Sequence, residues 1–594
     1  MSQVEQLITD NLDVWTAAIQ NKSTVGRGTS SKQFLHGIKV LRTLILELAF
    51  SGSLVSDSKE NADELFDSLH QIKNDLIKRK VIKKTRSEGD VSTSEVRLSI
   101  PKNWRWVRLG DVFDVRDGTH DSPKYQAEGY PLVTSKNIYS GQLDLSNVKF
   151  ISEEDHLKIS ERSKVDKGDI LFAMIGSIGN PVIIDVDPEF SVKNVGLFKY
   201  YDPKKSNPRY LQYYLKLAEK WFKEESSGAV QSFVSLGKLR SYPFPLSSLQ
   251  EQSRIVAKVD ELMALCDQLE QQTEDSLSAH QTLVETLLNA LLDAAQSRDD
   301  SSSKESAFDQ AWQRLAEHFD VLFTTEHSID QLKQTILQLA VMGKLVPQDP
   351  NDEPASVLLE KIAAEKERLV KEGKIKKQKP LPEIGEDEKP FELPVGWEWV
   401  RLDDICHGIT SGSTPPKTNF IEKAGVPYLK VYNIRNQLID FEYKPQFIDN
   451  ECHESKLKRS ILYPGDVVMN IVGPPLGKTA IISNDYPQWN CNQAITFFRP
   501  IVAEFNKYIY TYLKAGVFLD SIDLIGTAGQ DNISVTKSRS ICMPTPPIAE
   551  QLRIVEKVDA LVTLCDLLKA GIRESQITQL HLADAMAEHA LEEK

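Results

Sequence analysis

The chain repeats itself, and no other feature limits its fold as tightly. Ile100-Pro-Lys-Asn-Trp-Arg-Trp-Val-Arg-Leu109 returns as Leu393-Pro-Val-Gly-Trp-Glu-Trp-Val-Arg-Leu402. Lys167-Gly-Asp-Ile-Leu171 returns as Pro464-Gly-Asp-Val-Val468. Glu251-Gln-Ser-Arg-Ile-Val-Ala-Lys-Val-Asp260 returns as Glu550-Gln-Leu-Arg-Ile-Val-Glu-Lys-Val-Asp559, and Leu46 to Val55 as Leu337 to Val346. The spacing between copies drifts from 291 to 299 residues while the order is kept. That period is far too long for a solenoid, so the unit is a duplicated multi-element domain.

Each copy reads helix, β-rich body, helix. Leu41 to Phe50 and Ile329 to Val341 have apolar residues at helical spacing and stop at Gly52 and Gly343, glycine being a usual helix terminator. Charged helices follow at Ala62 to Lys84 and Pro354 to Lys377. Their lysine-rich ends suit the helix dipole, with contact to a DNA backbone as the sharper alternative. The bodies carry short Val/Ile/Tyr/Phe runs bounded by Gly, Pro, Asn and Asp, such as Asp169 to Ile175 and Val467 to Val472, the pattern of short strands. Both close on proline-rich stretches, Tyr242-Pro-Phe-Pro245 and Met543-Pro-Thr-Pro-Pro547, read as turns.

A long helix is predicted from about Ile255 to Ala295, roughly 60 Å at 1.5 Å per residue, and a second from Ile554 to about Glu593. The first has a seam at 262, 266, 269, 273, 276, 280, 283, 287 and 290, so the two helices are expected to pair. The fold class is therefore α+β: two β-rich globular domains separated by long antiparallel paired (coiled-coil) helices, in a pseudo-two-fold tandem repeat. The predicted segments are 1–99 helical, 100–249 first body, 250–392 central helical spacer, 393–547 second body and 548–594 terminal helix. Such a chain can hold two identical copies of a partner, one per half. If both bodies bind DNA, the target is two unlike half-sites, their spacing fixed by the helices near one helical turn, about 34 Å.

Charge agrees with this division. The net charge is −14, unpromising for a nucleic-acid partner taken whole. Yet residues 101–245 hold 21 Lys/Arg against 19 Asp/Glu, and residues 394–544 hold 15 against 15. The acidic excess lies in the helical parts, which suit protein contacts. No run of 18 apolar residues suggests a membrane span, and the polar, acidic N-terminus has no signal-peptide layout, so a cytoplasmic protein is expected. Six cysteines without a CxxC pair indicate neither a disulfide framework nor a zinc site.

Taken together, the Leu-Pro-x-Gly-Trp-x-Trp-x-x-Leu opening, the Gly-Asp turn, the Glu-Gln-x-Arg-Ile-Val-x-Lys-Val-Asp helix start and the Leu337 to Pro347 run resemble type I restriction–modification specificity subunits. The likeness is to the longer, enterobacterial-type members, covers nearly the whole chain, and extends to Asn11-Leu-Asp-Val-Trp15. Ser53 departs from it, where the family carries a basic residue after glycine. The resemblance implies that each body is a target-recognition domain, the first reading the 5′ half and the second the 3′ half of an asymmetric bipartite DNA site. It implies two modification subunits, which bind S-adenosylmethionine and methylate adenine, and two ATP- and Mg-dependent restriction subunits. It implies no cofactor on this chain and no catalysis by it alone.

Motifs for chemistry are absent from the sequence. No Asn/Asp-Pro-Pro-Phe/Tyr amine-methylation motif occurs, and Gly473 to Thr479 lacks the first glycine of a phosphate loop. A fused methyltransferase and a pure protein adaptor are the alternative classes. Base contacts are expected on loops held by strands. In the first body these are Thr119, His120, Lys124, Ser135, Lys136, Asn137, Gln231 and Ser232. In the second they are Ser413, Thr414, Lys417, Lys430, Tyr432, Asn433, Gln530 and Asn532. Asn and Gln can read adenine edges, and Lys can read guanine or phosphate. Trp104, Trp106, Trp397 and Trp399 are expected mainly in the core, as are Cys266 and Cys565. Cys452-His453 has no further ligands nearby in sequence.

Overall fold

A computed structural model describes residues 3–22, 32–56, 60–84, 89–139, 141–226, 233–296, 306–422, 424–522, 525–527 and 530–592. The chain divides into two compact units, Met1–Ser276 with Ser575–Lys594, and Leu277–Glu574. Each unit contains one β-rich body, so the fold is α+β in tandem duplicate, as the repeat predicts.

Each body is closed by its own ends. Arg105–Arg108, from the Trp-x-Trp-Val-Arg motif, pairs antiparallel with Pro243–Leu246. Glu398–Arg401 pairs in the same way with Cys542–Thr545. The proline-rich stretches are therefore strands rather than turns. A two-stranded ribbon leaves each strand one open edge, where the missing proline N–H does no harm. Buried tyrosines satisfy the carbonyls on this ribbon: Tyr210 Oη donates to Pro245 O at 2.9 Å and Tyr508 Oη to Pro544 O at 3.0 Å. These tyrosines lie on helices Pro208–Ser226 and Phe505–Ala515, which lie inside the β-rich bodies and which the sequence reading did not single out.

The main sheet of the first body runs Phe113–Asp117, Val195–Tyr200, Ile170–Ala173, Gly179–Ile183, all antiparallel. The second body repeats it as Cys406–Ser411, Ile495–Pro500, Val467–Asn470, Thr479–Ile481. Phe113–Asp117 alternates buried and half-buried residues, the period-two pattern of a strand with one covered face. Ile170–Ala173 is buried throughout, as a central strand covered on both faces should be. A smaller sheet beside each holds one parallel pair, Leu132 with Ser191 and Tyr428 with Asn490. The cores correspond position by position: Val133, Ile138, Leu171 and Leu197 in one, Leu429, Ile434, Val468 and Phe497 in the other.

The long helices are Leu249–Gln296, 48 residues, and Ile548–Glu592, 45 residues, about 70 Å each. The Glu-Gln of each repeat secures the helix start. Gln252 Nε2 donates to Ser247 O at 3.0 Å, and Gln551 Nε2 to Pro546 O at 2.9 Å, tying each helix back to the carbonyl two residues ahead of its first turn. The chain leaves the first unit within the first long helix and returns to it within the second.

The apolar seam is not one stripe. Leu262, Cys266 and Leu269 are buried as expected, but beyond Ser276 the buried set is Val284, Leu288, Leu291 and Ala295, while Leu283 is 49% exposed. The stripe changes register where the helix changes unit, because a different set of elements packs on it there. In the first unit Arg42, on helix His36–Phe50, reaches Asp267 at 2.7 Å, and His36 reaches Asp584 at 2.8 Å. In the second, on helix Glu326–Val341, Lys333 reaches Asp566 at 2.6 Å, and His327 reaches Gln281 at 3.3 Å. Each short helix thus braces both long ones within its own unit. Gly52 and Gly343 end these helices at φ of +77° and +71°, packed so closely on Pro101 and Pro394 that a side chain would overlap the proline ring. The charged helices end at Lys78 and Lys371, earlier than the lysine runs suggested. Among the described residues, no helix is long and apolar enough to cross a membrane.

Candidate nucleic-acid interface

At one edge of each body, three loops are tied together by backbone hydrogen bonds, two of which recur between the bodies. In the first body Thr119 N donates to Val192 O, Asn194 N to Thr119 O and Lys193 N to Val133 O, at 2.9–3.1 Å. In the second, Ser413 N donates to Cys491 O at 3.2 Å and Asn492 N to Leu429 O at 3.0 Å. The close approach requires glycine. A β-carbon on Gly118 would overlap Val192 O, and one on Gly412 would overlap Cys491 O.

Residues 192–194 thus link the loop of Thr119 and His120 to the strand end that precedes Ser135 and Lys136. His120 is anchored through Nε2 to Asp117 and Nδ1 to Asn194, both at 2.9 Å. Arg162 pairs with the other oxygen of Asp117. Thr119, His120, Lys158 and Arg162, with the carboxylates of Asp121 and Asp155, line an open groove of about 400 Å³. Lys124 lies beyond it and is exposed. In the second body Arg459 Nη2 donates to Ser413 Oγ at 3.2 Å, and Thr414 and Lys417 are exposed on the following loop. Lys430 lies over the Phe420 ring at 5.4 Å and the Tyr432 ring at 6.0 Å. Arg162 and Arg459 occupy equivalent positions, six residues before Gly168 and Gly465. The sequence reading missed them; that matching distance from the Gly-Asp turn was the available signal.

Asn137 and Asn433 are not presented to solvent. They are 6% and 1% exposed, and every donor and acceptor on each amide is used. Asn137 Oδ1 accepts from Thr134 N at 2.9 Å, and its Nδ2 donates to Asp144 O and Asn147 O. Asn433 repeats this with Lys430 N, Asp440 O and Tyr443 O. Their reading as base contacts is corrected accordingly: an amide that closes a turn has nothing left for a base. Gln231 and Ser232 lie outside the described residues, as does the side chain of Gln530. Asn532 bridges to Val472, with Oδ1 buried and unpaired among the described residues.

The Gly-Asp turns are structural. Asp169 lies under Lys199 and Asp466 under Arg499, and burial pushes the Asp169 carboxyl above its usual range. His453 is a satisfied core residue, bonded to Gln488 at 3.0 Å and Asn490 at 3.1 Å. Its equivalent His156 stacks on Tyr130 at 4.1 Å, and burial lowers its basicity. Among the described residues, no cluster of His, Cys, Asp and Glu could hold a metal ion. Trp104 and Trp397 are buried, Trp397 donating to Glu550 at 2.9 Å, while Trp106 and Trp399 are half-buried.

The family described as type I restriction modification DNA specificity domain matches twice, at residues 101–279 and 394–578. The specificity subunit of the type I restriction enzyme EcoAI from Escherichia coli is 38% identical over 99% of this chain and 100% of its own length. The EcoEI specificity subunit from Escherichia coli is 37% identical over the same shares. The solved HsdS subunit from Thermoanaerobacter tengcongensis is 18% identical with a TM-score of 0.35, covering 84% of this chain and 99% of that one. Two domain matches and full-length relatives place the chain in the type I restriction–modification specificity-subunit family, with two DNA-specificity domains.

Proposed function

We propose that the two bodies read the two unlike halves of an interrupted double-stranded DNA target, the first body the 5′ half and the second the 3′ half. The observation that carries this reading is the pair of equivalent loop edges, held by matching hydrogen bonds yet exposing different side chains. One scaffold used twice with different surfaces suits one asymmetric target. Phosphate contacts from groups such as Lys124, Lys158, Arg162, Lys417 and Arg459 set position, and side chains over the grooves set sequence.

The helical segments scaffold the assembly. Two modification subunits dock on them, each carrying S-adenosylmethionine to an adenine in one half-site, and two restriction subunits add ATP- and Mg-dependent cleavage. This chain supplies the address to both activities in the cytoplasm and performs neither alone. The test is a mobility shift with the chain assembled on its modification subunits. Duplexes carrying both halves, or with either half scrambled, should bind in the order both, then either one, then neither. Equal binding to all duplexes favours an adaptor, and methyl transfer by the purified chain alone favours an enzyme.

A further inference from the structure

Asn137 and Asn433 close two turns that are copies in backbone and strangers in surface. In each, the asparagine amide N–H donates back three residues, to Thr134 O at 2.9 Å and to Lys430 O at 2.8 Å. Its Nδ2 reaches the carbonyls seven and ten residues ahead, Asp144 and Asn147 in one body, Asp440 and Tyr443 in the other. Asp144 N and Asp440 N each return to the asparagine carbonyl at 2.8 Å. The aspartates then hold the next turn, Asp144 Oδ1 accepting from Ser146 N and Asp440 Oδ1 from Tyr443 N. A buried, fully bonded amide of this kind fixes a loop closely, since freeing any one partner leaves a polar group unsatisfied.

On that common frame the outward residues differ in chemistry. At equivalent positions the first body places Lys136, Tyr139 and Asn147, and the second places Tyr432, Arg435 and Tyr443. Tyr139 is 67% exposed. Arg435 lies 4.2 Å from the centre of the Tyr443 ring, and Tyr443 meets Tyr432 edge to face at 6.1 Å. Arg435 Nε lies 3.4 Å from Asp440, and its terminal nitrogens have no hydrogen bond among the described residues. An arginine stacked on an aromatic ring is pre-oriented, which reduces the freedom lost when its fork meets a guanine edge. Tyrosine and asparagine on the first body offer a ring face and an amide instead.

We infer that the asparagine-pinned turn is the base-discriminating element of each body, with Tyr139 and Asn147 acting in the first and Arg435 and Tyr443 in the second. This rests on the reading of both bodies as DNA-reading domains. Because the frame is held constant, the side chains on it can change the address without changing the backbone. The asparagines themselves are positioning residues.

The experiment is genome-wide methylation mapping in a host carrying the full chain and its modification subunits. Arg435→Gln and Tyr443→Ala should each relax one base of one half-site, with about tenfold loss of discrimination there, and leave the other half-site unchanged. Tyr139→Ala and Asn147→Ala should do the same to the opposite half-site. If a second-body variant abolishes methylation by unfolding, the first-body pair still decides. A methylated consensus unchanged by these substitutions overturns the assignment of the turn. A parent complex whose consensus is one uninterrupted sequence contradicts the two-body reading itself, which separates the two failures.

Discussion

Arg401 and Glu388 meet as a two-pronged ion pair, 2.9 Å at both contacts, and Arg108 and Glu95 repeat it at 2.8 and 3.2 Å. Each arginine also donates to carbonyls on both sides of its body, Pro382, Glu383 and Ser540 for Arg401, and Gly89, Asp90 and Ser241 for Arg108. It therefore ties the segment leading into the body to the end of the short helix just before the closing strand, Leu236–Ser241 or Val535–Ser540. Arg401→Ala strands these acceptors, at a cost of about 2 kcal/mol. Thermal unfolding of the full chain should show the transition of the second unit moved to lower temperature. An unmoved transition contradicts this role.

The same pairs give acid sensitivity. Hydrogen bonds from Arg108 and Arg401 hold Glu95 and Glu388 at about 2, against an ordinary value of 4.5. A carboxylate whose folded value is lowered contributes its full stability above the unfolded value and loses it as pH falls through the folded one. Stability should therefore decline between pH 4.5 and about 2. Both carboxylates are more than a third exposed, so salt should shrink the effect. The Arg108→Gln, Arg401→Gln double variant should show a flatter dependence in denaturant titrations across that window.

Gly412 and Gly118 leave no room for a methyl group against Cys491 O and Val192 O. Gly412→Ala should distort the loop edge of the second body and impair recognition of one half-site only. Gly118→Ala should impair the other. Mobility shifts on duplexes with one half-site scrambled distinguish the two, and loss of both half-sites from either variant counts against independent bodies.

Arg162 and Arg459 sit beside the predicted DNA-contacting loops, Arg162 exposed and paired with Asp117, and Arg459 donating to Ser413. As phosphate contacts they should set affinity and not sequence. Arg162→Gln or Arg459→Gln should reduce the slope of log affinity against log salt by roughly one and leave the methylated consensus intact. A changed consensus would make them base readers.

Much of the fold was legible because duplication marks what packing requires. Arg108 and Arg401, Gly52 and Gly343, and Gln252 and Gln551 recur since each closes a contact that no substitute serves as well. What could not be read depends on tertiary partners. The seam was extrapolated past Ser276 because helical periodicity does not announce a change of neighbour. Pro243 and Pro245 looked like a turn because a strand edge open on one side is invisible locally. Asn137 and Asn433 looked like base readers because an asparagine's chemistry is the same whether it caps a turn or faces a groove. Arg162 and Arg459 sit among other cations, Lys158 and Lys164 in one stretch and Lys456 and Lys458 in the other, so only their matching distance from the Gly-Asp turn singled them out.

The most direct measurement is a body exchange. Residues 100–249 are replaced by the matching segment of a relative with a different target, and methylation is mapped in a host supplying the modification subunits. The account predicts that one half-site takes the relative's sequence while the other half-site and the gap between them stay as they were. A consensus altered on both sides of the gap, or on neither, contradicts it.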